Sequence, residues 1–292
     1  MTLPSAPLDS YNPPQETIMI KNIASASRHL FSWGQSTYIM GIINLSPDSF
    51  SGDGLLVTED AATRAKRMVA DGANIIDIGG ASTRPGAPYV AAEDEIKRVV
   101  PLITRLRQEL KVPLSIDTYK YEVAQAAIAA GVSLINDVWG LKKDGRIASL
   151  AAKHQLPIIV TANQRGEEFT TDIMAEIVSD LKRAILCSTD AGVSLENIIV
   201  DPGIGFGKTT AQNLEIIHRL GELKVLGCPI LLGPSRKSFI GLTLGLPETE
   251  CLEGTAAAVA IGIAHGADIV RVHDVKAMTR VARLSDAVVR GQ

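Results

Sequence analysis

The sequence predicts an α/β fold in which eight parallel strands alternate with helices and close into a (β/α)8 barrel. Eight short runs rich in Ile, Val and Leu recur along the chain, and amphipathic stretches lie between them. Each run also ends in polar or glycine residues. An open, doubly wound sheet is the structural alternative, but eight similar units over about 250 residues favour the barrel.

The predicted strands lack the alternation of apolar and polar residues that a half-exposed sheet shows. Near-continuous apolar runs are typical of parallel strands buried on both faces. In chain order, the predicted strands are 38–44, 74–80, 113–118, 133–138, 157–163, 197–203, 229–235 and 268–274.

Amphipathic periodicity and terminal residues predict the intervening helices. Thr58 and Thr170 are the predicted N-caps of two of them, because a hydroxyl oxygen can accept a hydrogen bond from the first helical turn. Gly72 and Gly192 are the predicted C-terminal stops. The clearest predicted helices lie at 58–72, 91–110 and 170–192.

The composition indicates a single domain. The chain has 292 residues, of which 46% are hydrophobic, and no linker divides it. Residues 1–15 are rich in Pro and Ser and are predicted to be a flexible tail, and residues 16–292 a single barrel domain. Residues 16–36 precede the first strand and are predicted to form a short N-terminal extension or hairpin at the bottom of the barrel.

Charge and cysteine content exclude several functional classes. A net charge of -3 argues against nucleic-acid binding. No apolar run is long enough to span a membrane, and the N-terminus lacks the pattern of a secretory signal. The three cysteines show no CxxC spacing, which favours reduced thiols in a cytoplasmic protein over a disulfide framework or a zinc site.

Polar side chains occupy the C-terminal ends of nearly all predicted strands. In a barrel these ends open on one face, where active sites lie, so we expect a shared pocket there. The polar residues at these ends are Asn44, Asp77, Asp117, Asn136, Asn163, Asp201, Ser235, Arg236, Lys237, Arg271 and His273.

The chemistry of these residues suits a flat heterocycle and an anion. Asp117, Asp201 and Asn136 could bind an amino-N–C–N–H edge, as in guanine or pterin rings. A carboxylate beside Lys237 could instead form a general acid–base pair. The basic residues, which include Arg84, are suited to phosphate or carboxylate. The loops 44–54 and 79–88 are predicted to act as lids.

The segment DPGIGFGKTTAQN, residues 201–213, resembles a phosphate-binding loop at first sight. Such a loop needs Gly, four residues and then Gly-Lys-Ser/Thr, and the first Gly would fall at Pro202. A nucleotide hydrolase is therefore a weak alternative. We instead interpret the segment as a strand end that presents Asp201, followed by a turn in which Phe206 packs against a bound ring and a helix that begins near Thr209.

Seven motifs occur in barrel order: NLSPDSFS, GGASTRPG, SIDT, INDV, DPGIGFGK, GPSRKSFIG and RVHDV. Together they resemble the dihydropteroate synthase family over residues 38–290. The resemblance implies a transferase of folate biosynthesis, the target of sulfonamides. The implied reaction joins 4-aminobenzoate to 6-hydroxymethyl-7,8-dihydropterin diphosphate and releases diphosphate. It also implies a homodimer that packs through residues 250–266 and the segment after Asp274.

The resemblance also implies roles for individual residues. The pterin set is Asp117, Asn136, Asp201 and Lys237, with Phe206 beside it. The diphosphate set is Asn44, Arg84, Arg271 and His273, and Asn44 also matches the Mg²⁺ ligand. The aminobenzoate set is Pro47, Phe50, Thr83, Arg84, Pro85 and Ser238. Asp117, Lys237, Arg271 and His273 are the implied catalytic residues, and Asp117 would stabilise a pterin cation.

The sequence departs from the family pattern at two places. Ala162, Asn163 and Gln164 replace Met-His-Met after the fifth strand, which predicts a more polar pocket wall in which Asn163 could form hydrogen bonds. Ala81 replaces a usual Glu. Two alternatives therefore stay open: a paralogue with altered or lost synthase activity, and a methyltetrahydrofolate methyltransferase. The latter would need neither STRPG nor SRKSF nor RVHD.

Overall fold

The computed structural model describes residues 30–45, 54–82, 86–166 and 172–291. Eight parallel strands form one sheet in the order β6-β5-β4-β3-β2-β1-β8-β7. A single bridge between Val200 and Ile230 joins β6 to β7 and closes the barrel. The predicted barrel is thereby confirmed. Its strands are β1 Tyr38–Asn44, β2 Ile75–Gly79, β3 Leu114–Asp117, β4 Leu134–Asp137, β5 Ile158–Thr161, β6 Ile198–Asp201, β7 Leu231–Leu232 and β8 Ile269–Val272.

Helices follow the strands and form the outer layer. They are α1 Gly54–Ala70, α2 Ala92–Glu109, α3 Tyr121–Ala130, α4 Arg146–His154, α5 Ile173–Asp190, α6 Thr210–His218, α7 Ser238–Leu244, α8 Leu252–Ala264 and α9 Val275–Arg290. Within the described ranges, no helix is both long and apolar enough to cross a membrane.

The predicted helix starts were less accurate than the predicted ends. Thr58 lies inside α1, which begins at Gly54, so the predicted cap was wrong. The cap of α5 is Asp172 rather than Thr170, because the Asp172 carboxylate accepts hydrogen bonds from the N–H groups of Met174 and Ala175. A carboxylate there also interacts favourably with the helix dipole.

Both predicted helix stops adopt the left-handed conformation that favours glycine, with φ of 109° at Gly72 and 98° at Gly192. β7 is shorter than its apolar run because Pro229 and Pro234 flank it and proline has no N–H to donate to a neighbouring strand.

An apolar layer fills the N-terminal end of the barrel interior. Phe31, Trp33 and Tyr38 pack against this layer, and the Phe31 and Trp33 rings stack with their centroids 4.7 Å apart. Residues 30–37 thus lie at the barrel bottom, as predicted. The rest of the predicted extension and the tail lie outside the described residues. The layer consists of Met40, Ile75, Leu134, Ile159, Ile199, Leu231 and Ile269.

Candidate active site at the barrel mouth

The polar floor of the barrel mouth follows from the two-residue period of a strand. Side chains two positions apart point to the same face. The residues two positions after apolar-layer members therefore also face the interior, nearer the C-terminal rim. The polar residues among them are Asp77, Asn136, Thr161, Asp201 and Arg271, and all except the half-buried Arg271 are buried.

Arg271 links two of the carboxylates across the mouth. Its Nε donates to Asp77 Oδ2 at 2.6 Å, and its Nη2 donates to Asp117 Oδ2 at 2.7 Å. Asn136 Nδ2 also donates to Asp77 Oδ2, at 3.1 Å. Burial raises the pKa of Asp117, and the Arg271 guanidinium opposes that shift. Arg271 thus holds two buried carboxyl groups together across the mouth.

Several buried acceptors at the mouth have no hydrogen-bond partner among the described residues. A buried polar atom without a partner is costly, so a cluster of such atoms indicates that a ligand supplies the partners. A ligand with several N–H donors could supply partners to these oxygens. The orphaned oxygens are Asp77 Oδ1, Ser115 Oγ, Asp117 Oδ1, Asn136 Oδ1 and Thr161 Oγ1.

Asp201 and Lys237 form the opposite side of the mouth. Asp201 is 7% exposed, and its Oδ1 accepts a hydrogen bond from the Gly203 N–H at 2.7 Å. Lys237 Nζ donates to the Ile204 carbonyl at 2.7 Å and lies 4.3 Å from the centroid of the Phe206 ring. Burial lowers the pKa of Lys237 to about 8, with Asp201 opposing the shift. The Lys237 amine is therefore largely protonated at neutral pH.

His273 is neutral at physiological pH in the ligand-free site. Burial and the nearby Arg271 and Arg236 guanidinium groups lower its pKa to about 3. Ser235 Oγ accepts from the His273 backbone N–H at 3.2 Å and lies 3.1 Å from Nδ1. The hydroxyl can then donate to Nδ1, which leaves Nε2 as the N–H donor.

Arg236 does not contribute to the expected basic lining of the mouth. It pairs with Asp274, and the two Arg236–Asp274 hydrogen bonds measure 2.6 and 3.1 Å. Its charge is therefore balanced at the rim.

The segment 203–208 does not form a phosphate loop. The N–H of Gly203 is bound by Asp201, and the N–H of Gly205 by Asn213 Oδ1 at 2.7 Å. Lys208 Nζ faces three carbonyl oxygens, those of Ala162, Gly203 and Phe206. A phosphate loop needs free N–H groups and an exposed lysine, so the nucleotide-hydrolase alternative is wrong.

Asn163 does not supply the polar pocket wall that the sequence predicts. Its Nδ2 donates to the Val138 carbonyl at 2.8 Å, and its Oδ1 accepts from the Arg165 N–H at 3.2 Å. The amide joins two loops of the barrel rim and is 1% exposed. The Asn163 amide therefore bonds to backbone groups and is not available to a ligand.

The remaining predicted site residues lie at the rim or outside the described residues. Asn44 is exposed at the end of β1. The backbone of Gly79 lies between the side chains of Asn44 and Asp117. A Cβ added to Gly79 would lie 3.6 Å from Asn44 Oδ1 and 3.6 Å from Asp117 Cβ. Ser238 is exposed at the start of α7. The predicted residues outside the described ranges are Pro47, Phe50, Thr83, Arg84 and Pro85.

Sequence reasoning placed Asp77 at the shared pocket without an individual role, and it did not foresee Arg165 or Lys208 at the site. The structure shows that Asp77 shares Arg271 with Asp117. The Arg165 guanidinium lies 4.6 Å from the Phe206 ring centroid. The contacts of Lys208 depend on how two loops meet, and no local pattern carries that information.

Comparison with known proteins identifies the family. A family model described as pterin binding enzyme matches residues 40–273. The dihydropteroate synthase of Clostridium beijerinckii is 52% identical over 262 residues, which cover 89% of this chain and 97% of that protein. The enzyme of Bacillus subtilis is 48% identical over 275 residues, covering 94% and 96%.

The chain belongs to the dihydropteroate synthase family.

Solved structures of this family have the same fold. A Clostridium difficile dihydropteroate synthase crystallised in the presence of pteroic acid superposes with a TM-score of 0.87 at 50% identity, covering 89% of this chain and 99% of that one. A Xanthomonas albilineans dihydropteroate synthase with 4-aminobenzoic acid gives a TM-score of 0.82 at 39% identity, covering 87% and 93%. The protein is therefore an enzyme, a transferase of folate synthesis.

Proposed function

We propose that the mouth of this barrel condenses 6-hydroxymethyl-7,8-dihydropterin diphosphate with 4-aminobenzoate to give 7,8-dihydropteroate and diphosphate. The observation that carries this proposal is the cluster of orphaned acceptors on Asp117, Asn136 and their neighbours. A pterin ring presents an amino group and a ring N–H along one edge, and these donors complement carboxylate and amide oxygens.

The pterin subsite is assigned to the two sides of the mouth. Asp117 and Asn136 would accept hydrogen bonds on one side, and Asp201 on the other. Phe206 is 7% exposed and would pack beside the ring, with the Lys237 ammonium above it. Because the carboxylates are buried, hydrogen bonds to them are stronger than in water.

The diphosphate subsite is assigned to the β8 end of the mouth. Arg271 is a half-buried cation there, and His273 offers a neutral N–H donor. A bound diphosphate would raise the pKa of His273, because negative charge favours the imidazolium. Arg84, in the loop 79–88, is expected to contribute a further positive charge to this subsite.

Magnesium fits this subsite only as an ion shared with the substrate. In the described part of the chain, no group of three or more His, Cys, Asp or Glu side chains could hold a metal. Asn44 offers one exposed amide oxygen, which is typical of Mg²⁺ sites completed by substrate phosphates and water. When bound there, Mg²⁺ would neutralise charge on the leaving diphosphate.

The aminobenzoate subsite is assigned to the rim, where Ser238 is exposed at the N-terminal end of α7. The predicted contacts Pro47, Phe50, Thr83, Arg84 and Pro85 belong to the same proposal. The side chains of the two loops would complete the subsite above the pterin.

The proposed reaction proceeds in two steps. The bond between the exocyclic methylene carbon and the diphosphate oxygen breaks, and the electron pair leaves with that oxygen. Arg271 and His273 stabilise the departing charge, and the Asp117 carboxylate stabilises the cationic pterin. The amine nitrogen of aminobenzoate then forms the C–N bond and loses a proton to solvent.

One assay tests the reaction. Purified protein is incubated with the pterin diphosphate, 4-aminobenzoate and Mg²⁺, and diphosphate release is followed. We expect release that depends on aminobenzoate. Its absence would contradict the proposal and favour a paralogue with altered or lost activity. Asp117→Asn should lower kcat by about 100-fold or more, since it removes charge stabilisation in the transition state.

We also propose that the protein is a cytoplasmic homodimer. An apolar groove of about 280 Å³ lies between α6, α7 and α8. Leu244 and Ile261 line this groove and are 50% and 47% exposed. Exposed apolar grooves of this kind favour protein contacts, and residues 250–266 were predicted to make them.

A further inference from the structure

Two lysines, Lys237 and Lys208, contact the Gly203–Gly207 turn. Gly203, Gly205 and Gly207 have φ values of 71°, 78° and 75°, a conformation that favours glycine. On the side of the active site, Lys237 binds the Ile204 carbonyl. Lys208 binds the carbonyls of Gly203 and Phe206 at 2.9 and 3.2 Å.

The turn packs against the β5 loop more closely than any side chain would allow. A Cβ at Gly203 would lie 2.1 Å from the Ala162 oxygen, and one at Gly207 would lie 2.5 Å from the Gln164 oxygen. Lys208 Nζ also binds the Ala162 oxygen, at 2.8 Å. Its ammonium therefore neutralises three converging carbonyl dipoles and ties the β5 loop to the turn.

The same turn determines where Lys237 lies. Among the described residues, the Lys237 ammonium contacts the Ile204 carbonyl and the Phe206 ring. A Cβ at Gly205 would lie 2.9 Å from Lys237 Cδ, so the turn also supports the aliphatic stem. A shift of the turn would move all three supports together.

We propose that Lys208 is a positioning residue for pterin binding, which holds the Gly203–Gly207 turn so that Lys237 and Phe206 are placed for the pterin. The inference rests on the proposed assignment of Lys237 to the pterin subsite. Lys208 itself does not touch substrate. Burial lowers the pKa of Lys208 to about 7, and the Asp201 carboxylate opposes the shift.

Steady-state kinetics of Lys208→Met test this role. Methionine keeps the length and apolar stem of the side chain but removes the charge. We expect kcat/KM for the pterin diphosphate to fall about 30-fold, because small displacements of positioned groups cost one to two orders of magnitude. The fall should appear mainly in the KM for the pterin, while the KM for aminobenzoate changes less than about threefold.

A matched control and two further variants make the test specific. Lys142 binds the Asn163 carbonyl of the same loop at 2.8 Å and pairs with Asp180 at 3.0 Å, and Lys142→Met should leave both KM values unchanged. Lys208→Arg keeps a cation and should recover most of the pterin affinity. Lys208→Gln keeps N–H donors without charge and is assayed in place of Lys208→Met if the latter does not fold.

The outcomes separate this inference from the proposed function. A folded Lys208→Met with kcat/KM for the pterin within threefold of wild type overturns the positioning role. Equal losses for the two substrates, or no recovery in Lys208→Arg, also overturn it. Lys237→Ala is assayed in parallel, and if it retains full activity, the assignment of Lys237 fails as well.

Discussion

At the scale of single residues, Lys237 carries a positive charge that its burial disfavours. Burial lowers its pKa, Asp201 opposes the shift, and Arg271 and Arg165 add to it, which gives a pKa of about 8. The ammonium is the form that we assign to pterin binding. Its population is nearly constant below that pKa and falls about tenfold for each pH unit above it.

We therefore predict that kcat/KM for the pterin substrate falls above a pH of about 8. The measurement is a pH profile of kcat/KM at saturating aminobenzoate, which reports the ionisation of the free enzyme. Lys237→Arg is the control, because a guanidinium stays protonated over this range and its residual activity should lack the alkaline limb. If Lys237→Arg shows the same fall of kcat/KM at alkaline pH, the ionisation belongs to another group.

Thr161 offers a second prediction at the same scale. Its hydroxyl is buried at the mouth and has no partner among the described residues. Thr161→Val removes the unpaired hydroxyl, so the free energy of unfolding of the ligand-free protein should rise by up to about 1 kcal/mol. If the hydroxyl meets the pterin, the KM for the pterin should rise up to about tenfold.

Thr279 provides the matched control for that experiment. It carries an orphaned buried hydroxyl on α9, away from the mouth. Thr279→Val should therefore change stability in the same direction without changing the KM. Urea unfolding and steady-state kinetics measure the two effects. A pterin KM unaffected in Thr161→Val would remove Thr161 from the subsite.

At the scale of elements, the sequence predicted which segments are strands and helices better than where they begin. The apolar runs marked all eight strands because each is buried on both faces. Thr209 begins α6 through a reciprocal cap with Gln212, as its sequence position suggested. Asp172 and Thr170 are both plausible caps in sequence, and the choice depends on the path of the preceding chain.

The Gly203–Gly207 turn gives the prediction at this scale. Gly203→Ala would place a Cβ 2.1 Å from a backbone oxygen, so the free energy of unfolding should fall by about 3 kcal/mol or more. Gly227 has a similar φ of 69° and no atom within 4 Å of an added Cβ. Gly227→Ala should cost only about 1 kcal/mol, the strain of the left-handed backbone alone.

Urea unfolding of both variants separates the two causes. A small loss in Gly203→Ala, comparable to that of Gly227→Ala, would show that the β5 loop moves away from the turn at little cost. The close packing that gives Lys208 its position would then be absent in solution.

At the scale of the whole molecule, the barrel and the location of the site followed from the sequence, but the pairing of charges did not. Strand ends predicted that Asp117, Asn136 and Asp201 share one face. They did not predict that Arg271 from β8 joins Asp77 on β2 and Asp117 on β3, since this requires the closed barrel to bring β8 next to β1 and within reach of both carboxylates. Arg236 shows the same limit, because its partner Asp274 lies after the last strand.

The proposed dimer provides the last prediction. Ile261 lines the groove between α6, α7 and α8, and a carboxylate there would lose its hydration if a second copy covered the groove. Ile261→Asp should therefore shift the protein from dimer to monomer in sedimentation velocity experiments at micromolar concentration.

Leu186 is the control, because it is 59% exposed on α5, away from the groove. Leu186→Asp should sediment as wild type does, since its side chain stays in water in either state. If Ile261→Asp remains dimeric with unchanged stability, the partner covers another surface, and α9 is then the next candidate because Leu284 is 69% exposed there. If the wild-type protein is a monomer, the exposed groove serves some other contact.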